Sequence, residues 1–153
     1  MRILFVCLGN ICRSPVAEVV ARTEFARVGL DIAVASAGIG DYHVGQGADA
    51  RAVVSARAHG YDLSAHCARQ IAGVDFGRFD ALLAMDRANL RALAGCCPQR
   101  YSGKLALFLP FAGIEAPDQV PDPYFGEAEG FERVIELARD GANGLIARCA
   151  NGA

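Results

Sequence analysis

Residues 3–15 read Ile3-Leu4-Phe5-Val6-Cys7-Leu8-Gly9-Asn10-Ile11-Cys12-Arg13-Ser14-Pro15, an apolar run followed by a short loop and a Ser-Pro pair. The segment from Met1 to Val6 predicts a strand that is buried on both faces of a parallel sheet. Ser14 is a good N-cap and Pro15 suits the first position of a helix, so a helix is expected to begin there. Between strand and helix, Gly9 permits a tight turn whose backbone N–H groups converge at the positive end of the helix dipole. The stretch therefore predicts a cradle for an oxyanion such as phosphate.

Two side chains give this cradle the chemistry of a reaction site. Cys7 ends the strand beneath the converging N–H groups, which together with the helix dipole and Arg13 favour its thiolate form. A thiolate there is a nucleophile directed at phosphorus. Arg13, six residues further on, offers a planar fork to two phosphate oxygens, and the Ser14 hydroxyl can donate to the thiolate. The plain alternative is a buried, unreactive Cys7 with Arg13 on a solvated helix end.

Length and composition limit the remaining possibilities. The 153 residues are 53% hydrophobic and 21% charged, which fits one globular domain over residues 1–153. A net charge of −2 and the lack of a Lys/Arg cluster predict no nucleic-acid partner. The N-terminal apolar stretch is short for a signal peptide and no span reaches membrane length, so we expect a cytoplasmic protein without membrane insertion. The six cysteines lack Cys-x-x-Cys spacing, which favours a reducing compartment and argues against a zinc site.

Beyond residue 15, hydrophobic periodicity and glycine or proline breaks predict alternating strands and helices. Four strands that alternate with helices predict an α/β fold, a single-domain, doubly wound, four-stranded parallel sheet with helices on both faces. Ligands of such sheets bind at the carboxyl ends of the strands, where the loop after the first strand lies. The further strands are predicted over residues 31–36, 81–85 and 105–109, and the helices over residues 14–28, 49–58, 87–97 and 128–150.

Some local details follow from the same patterns. Residues 61–79 are expected to be irregular, with one short helical piece after Ser64. The first helix places Glu18 on its solvent side. Gly141 and Gly144 are expected to weaken the middle of the last helix.

The stretch from Val6 to Pro15 resembles the signature of the low-molecular-weight protein tyrosine phosphatases, in which Cys-x5-Arg follows an N-terminal strand and precedes a Ser-Pro helix start. The resemblance extends over about residues 1–148. It implies hydrolysis of phosphotyrosine and aryl phosphates through a cysteinyl-phosphate intermediate, with Cys7 as nucleophile and Arg13 as stabiliser of the transition state. It implies no metal or other cofactor. The expected partner is a phosphotyrosine-containing protein substrate, and a tyrosine kinase is left open.

A candidate acid lies in the long loop over residues 110–123. Asp122 stands between Pro121 and Pro123, which restrict the loop and would hold the carboxyl over the phosphate. An acid there protonates the departing phenolate and then takes a proton from the attacking water. The resemblance places an Asp-Pro acid at this distance from the C-terminus, whereas the Asp-Pro pair alone also suits a plain turn.

The resemblance also implies supporting roles around the loop. Ser36, in a Ser-Ala-Gly sequence, is expected to help to hold Asn10, which is expected in a left-handed conformation. His66 is expected to brace the same loop. Asp86 fits a further motif of the family, although it equally suits the cap of the next helix.

The rim of the site is expected to select the substrate. Tyr42 and Tyr124 match the positions of aromatic walls that enclose a phenyl ring, and a deep slot favours phosphotyrosine over the shorter phosphoserine. Two departures from the family pattern are mild: Phe125 replaces a second tyrosine, and Gly47-Ala48 replaces a proline-containing run. The remaining substrate-binding residues are expected in the loop itself, with Leu8 and Ile11 on the floor of the slot: Leu8, Gly9, Asn10, Ile11, Cys12 and Ser14.

Two other functions stay open at this point. A thiol-dependent arsenate reductase shares the fold and the Cys-x5-Arg loop but needs a resolving cysteine pair, and Cys96 and Cys97 are adjacent, which forms disulfides poorly. A non-catalytic phosphate-binding module is the third interpretation, against which Asp122 argues. Cys12 lies in the same loop as Cys7, so a reversible disulfide that protects the nucleophile from overoxidation is expected.

Overall fold

One parallel sheet of four short strands forms the centre of the computed structural model, which describes residues 1–151. The strands are β1 (Arg2–Cys7), β2 (Ala33–Gly38), β3 (Ala81–Ala84) and β4 (Leu105–Leu107), in the order β2-β1-β3-β4. Because β1 pairs with a neighbour on each side, its carboxyl end lies in the middle of the sheet edge. The predicted four-stranded parallel sheet is confirmed. Gly152 and Ala153 of the predicted domain lie outside the described residues.

Helices cover both faces of this sheet. Side chains alternate along β1, so Ile3 and Phe5 pack in one hydrophobic cluster and Leu4 and Val6 in another on the opposite face. No helix within residues 1–151 is both long and apolar enough to cross a membrane. The helices are α1 (Arg13–Arg27), α2 (Ala50–Ala58), α3 (Gly73–Arg78), α4 (Arg87–Cys96), α5 (Phe108–Phe111) and α6 (Ala128–Ala150), with a 3-10 helix over Gln99–Lys104.

The first helix begins earlier than predicted. Arg13 is its first residue and Cys12 its N-cap, so Ser14 and Pro15 occupy the second and third positions. The predictions of Ser14 as N-cap and of Pro15 at the first position were wrong. The reason is that the Ser14 hydroxyl contacts the Cys7 sulfur at 2.9 Å instead of capping the helix. Pro15 is still tolerated, because the first four N–H groups of a helix lack intrahelical partners.

Two short helices lie where the sequence indicated other structure. The helical piece predicted after Ser64 is absent from the described residues, and α3 begins at Gly73 instead. It begins there because the buried Asp75 carboxylate accepts a hydrogen bond from the Ala72 N–H at 2.7 Å. The fourth strand ends at Leu107 rather than at residue 109, because the chain turns at once into α5.

The two glycines of α6 serve close packing, and the helix runs unbroken through both. A Cβ built on Gly141 would overlap the Phe108 ring, and one built on Gly144 would overlap the carbonyl oxygen of Ala112. Both contacts join α6 to the segment that follows β4. At both positions glycine lowers the helix propensity but lets α6 pack closely, against the Phe108 ring and against the Ala112 backbone.

We expect Gly144→Ala to lower the free energy of unfolding by about 2 kcal/mol. The helix preference for alanine would add about 1 kcal/mol of stability, but overpacking against a backbone oxygen costs about 3 kcal/mol. Urea unfolding followed by circular dichroism measures the change. Gly95→Ala in α4 is the matched control, because nothing lies within 4 Å of a Cβ there, and it should be neutral or stabilising. Equal stability of the two variants would contradict the packing argument.

Candidate active site

The loop between β1 and α1 folds back over the Cys7 sulfur. The Asn10 N–H donates to that sulfur at 3.3 Å, and the Ser14 hydroxyl lies 2.9 Å from it. Asn10 has φ 58°, which confirms the predicted left-handed conformation. His66 Nε2 donates to the Asn10 carbonyl oxygen at 2.7 Å. The loop thus encloses a buried sulfur with polar donors.

The Asn10 side chain fixes the shape of this loop. Its amide nitrogen donates to the hydroxyls of Ser14 and Ser36, each at 2.9 Å, and its oxygen accepts from the Arg69 N–H at 2.9 Å. Ser36 donates in turn to a Glu18 carboxylate oxygen at 2.6 Å. Because a carboxylate only accepts, the Ser36 hydroxyl proton is committed to Glu18, and its oxygen is left to accept from Asn10. These bonds therefore have a defined direction.

Glu18 is a functional neighbour that the sequence analysis missed. It was predicted on the solvent side of α1, but its side chain is only 18% exposed and lies against Ser36 of β2. The available signal was its spacing, since it follows Ser14 by four residues and shares a helix face with it.

Arg13 is buried and held by three oxygens. One guanidinium nitrogen donates to an Asp86 carboxylate oxygen at 2.7 Å and to the Val120 carbonyl oxygen at 3.1 Å. The other lies 3.5 Å from an Asp122 carboxylate oxygen. Asp86 also accepts from the Asn89 N–H at 2.8 Å as the N-cap of α4. Asp86 thus caps α4, as the sequence allowed, and also contacts the Arg13 guanidinium.

Cys7, Arg13 and Asp122 lie together in a cleft of about 320 Å³. Tyr42 and Tyr124 line it. Leu8, which is 45% exposed, and the buried Ile11 both line the cleft. The lining residues are Cys7, Leu8, Gly9, Ile11, Cys12, Arg13, Tyr42, His43, Asp122, Tyr124 and Phe125.

His43 at the rim was also missed. The centroid of the His43 ring lies 6.3 Å from that of the Tyr124 ring. A Cβ built on Gly9 would lie 2.9 Å from the nearest atom of the His43 ring. The absence of a side chain at Gly9 therefore lets the imidazole close over the loop. Its place beside Tyr42 in a glycine-rich loop was the only sequence signal.

The two buried thiols of the site differ in their surroundings. Burial, and then the nearby Cys7, raise the pKa of Cys12 well above its ordinary range, so Cys12 stays a neutral thiol at pH 7. Cys7 instead has the N–H of Asn10 and the hydroxyl of Ser14 at its sulfur. The Cys7 sulfur therefore faces two hydrogen-bond donors of the kind that stabilise a thiolate. Residues 1–151 contain no group of three or more His, Cys, Asp or Glu side chains arranged to hold a metal ion.

Comparison with known proteins supports one family over nearly the whole chain. The sequence model described as low molecular weight phosphotyrosine protein phosphatase matches residues 2–152. A low molecular weight protein-tyrosine-phosphatase of Streptomyces coelicolor is 42% identical over 151 residues, which cover 95% of this chain and 92% of that protein. The low molecular weight phosphotyrosine protein phosphatase of Schizosaccharomyces pombe is 40% identical over 134 residues, 86% of this chain and 85% of that protein. A crystal structure of a protein tyrosine phosphatase from Entamoeba histolytica with Hepes in the active site matches at TM-score 0.94 and 38% identity, covering 99% of this chain and 98% of that one. The chain belongs to the low molecular weight phosphotyrosine protein phosphatase family.

Proposed function

We propose that this protein hydrolyses phosphotyrosine and aryl phosphates through a phosphorylated Cys7. The observation that carries the proposal is the placement of Arg13 and Asp122 in the same cleft as a buried sulfur with two hydrogen-bond donors. A nucleophile, a bidentate cation and a proton donor are the groups that this chemistry requires.

In the first step the Cys7 thiolate attacks phosphorus and the bond from phosphorus to the phenolic oxygen breaks. Asp122, protonated at this stage, gives its proton to the departing oxygen, so that a neutral phenol leaves. Arg13 donates to two equatorial oxygens of the transferring group. Asp122 lies 3.5 Å from Arg13 before substrate enters, so the phosphate takes the place of the Asp122 carboxyl beside the guanidinium.

In the second step water attacks the cysteinyl phosphate. The Asp122 carboxylate takes a proton from this water, and the bond from sulfur to phosphorus breaks to release inorganic phosphate. The Ser14 hydroxyl, 2.9 Å from the sulfur, donates to the thiolate as it leaves. The cycle returns every group to its starting protonation state without an added cofactor.

The rim supports an aromatic phosphate ester as substrate. Tyr42 and Tyr124 line the cleft above the buried Cys7 sulfur. A phenyl ring can pack between aromatic walls while its phosphate reaches the sulfur, and a phosphoserine side chain is too short to do both. We therefore propose a phosphotyrosine-containing protein as the substrate and a tyrosine kinase as the enzyme that supplies it. As the location of the protein we propose the cytoplasm.

An arsenate reductase is disfavoured by the position of the candidate resolving pair. Cys96 and Cys97 lie at the C-terminal end of α4, which starts beside the site at Asp86. At 1.5 Å per residue, this helix separates them from the sheet edge by about 15 Å. A disulfide requires Cα atoms within about 7 Å, so this pair cannot resolve Cys7 without a large rearrangement.

Asp122→Asn tests the proposed acid. We expect kcat/KM for phenyl phosphate to fall about 10³-fold, within the range that a general acid contributes. The loss for p-nitrophenyl phosphate should be below about tenfold, because p-nitrophenolate leaves readily without a proton. Steady-state hydrolysis of both esters measures the difference.

The control is Asp118→Asn, which lies in the same loop but pairs with Arg87 and should keep the wild-type ratio between the two esters. An equal loss for both esters with Asp122→Asn would contradict the acid role. Thiol-dependent reduction of arsenate by the wild-type protein, with no hydrolysis of either ester, would favour the reductase.

A further inference from the structure

Arg51 is a half-exposed residue on α2 that contacts residues 121–126, the segment that carries Asp122. Its Nη2 donates to the Tyr124 carbonyl oxygen at 2.9 Å. The guanidinium carbon lies 5.7 Å from the centroid of the Tyr124 ring and 4.6 Å from that of the buried Phe131 of α6. Planar stacking of this kind is available to arginine and not to lysine. The side chain is therefore fixed between α6 and the rim.

Arg51 is also linked through Asp49 to the loop between β1 and α1, which we call the phosphate-binding loop. Its Nε and Nη2 donate to the two Asp49 carboxylate oxygens at 3.1 and 2.9 Å. These bonds hold the pKa of Asp49 below its usual range, so the carboxylate is charged at neutral pH. The Asp49 N–H donates to the Ile11 carbonyl oxygen of the loop at 2.8 Å. A short chain of polar contacts thus leads from the loop to the guanidinium.

The segment over residues 121–126 has few other anchors apart from the approach of Asp122 to Arg13 at 3.5 Å. Within residues 1–151, the hydrogen bond from Arg51 to Tyr124 is the only one of this segment that reaches beyond it. The Tyr124 N–H donates inside the segment to an Asp122 carboxylate oxygen at 3.1 Å. The backbone of Tyr124 therefore connects Arg51 on one side with Asp122 on the other.

We infer that Arg51 is a positioning residue that sets where the Asp122 carboxyl sits above the phosphate-binding loop. The inference rests on the proposed function, in which Asp122 is the acid. Arg51 itself is absent from the lining of the cleft and touches no reacting group. Its loss should therefore weaken proton transfer to the leaving group and leave attack by the sulfur nearly unchanged.

Arg51→Ala is expected to lower kcat/KM for phenyl phosphate about 30-fold and for p-nitrophenyl phosphate less than about threefold, a fraction of the full effect of an acid. Arg51→Lys should give an intermediate ratio, because an ammonium can reach the Tyr124 carbonyl but lacks the fork that also binds Asp49. Arg57→Ala, at the other end of α2, is the control and should match wild type. The ratio of the two kcat/KM values is the readout, since a general loss of stability would lower both.

A double variant separates this inference from the proposed function. If Arg51 acts through Asp122, adding Arg51→Ala to Asp122→Asn leaves the ratio between the esters unchanged. Equal losses for both esters in Arg51→Ala, or a further change of ratio in the double variant, would overturn the inference while Asp122→Asn still supports the acid. A wild-type ratio in Asp122→Asn would overturn both. If Arg51→Ala does not fold, an unchanged ratio in Arg51→Lys overturns the inference instead.

Discussion

Cys7→Ser is expected to abolish phosphatase turnover, with a fall in kcat for p-nitrophenyl phosphate of at least about 10⁴-fold. The serine hydroxyl is not ionised at pH 7 and is a much weaker nucleophile than a thiolate. The Asn10 N–H and the Ser14 hydroxyl face position 7 in either case. The variant should therefore keep its fold and its ability to bind phosphate.

Rapid quenching with a radiolabelled aryl phosphate checks this directly. The wild-type protein should carry label on Cys7 during turnover, and Cys7→Ser should carry none. Cys149→Ser, which removes a thiol near the end of α6, is the control and should be labelled like wild type. Label on Cys7→Ser, or activity within about tenfold of wild type, would refute a cysteinyl-phosphate mechanism.

The features that could be predicted from the sequence are those that neighbouring residues determine. The strand that ends at Cys7, the glycine turn and the helix after it lie within about fifteen residues, so their order and the position of the sulfur follow from local rules. Asn10 is one of the few residues that tolerate a positive φ, and its conformation agrees with that preference. Cys7, Arg13 and Asp122 do meet in one cleft, but the meeting of Asp122 with the others rested on the family resemblance.

The missed features depend on contacts between distant parts of the chain. Glu18 follows helical periodicity on α1, but only the arrival of Ser36 from β2 decides that its carboxylate turns inward. Arg51 looks like any charged residue of an amphipathic helix until Tyr124, which is 73 positions away, comes to lie against it. The start of α1 was misplaced for a local reason, since the Ser14 hydroxyl contacts Cys7, seven residues earlier, instead of capping the helix.

A second large loss of activity is expected on substitution of Arg13, because of how its guanidinium is held. Its guanidinium is held by Asp86 and the Val120 carbonyl on one nitrogen, which leaves the other nitrogens for the cleft. A planar fork can hold Asp86 and present two parallel donors to phosphate oxygens at the same time, whereas an ammonium has a single nitrogen for both tasks. Shape, and not charge alone, is therefore what position 13 contributes.

Arg13→Lys is expected to lower kcat/KM for p-nitrophenyl phosphate about 10³-fold, a magnitude typical of losing a preorganised donor to developing charge. Inhibition by inorganic phosphate should weaken less than about tenfold, because the ground state needs the charge while the transition state needs the fork. Initial rates with and without phosphate measure both quantities, and Arg27→Lys in the last turn of α1 is the control. If Arg13→Lys retained more than a tenth of the wild-type kcat/KM, a single point charge at position 13 would be enough for catalysis, and the planar fork would not be required. A parallel loss of phosphate binding and rate would mean that Arg13 binds substrate and transition state equally, so that the difference between them must arise from Asp122 and the loop N–H groups.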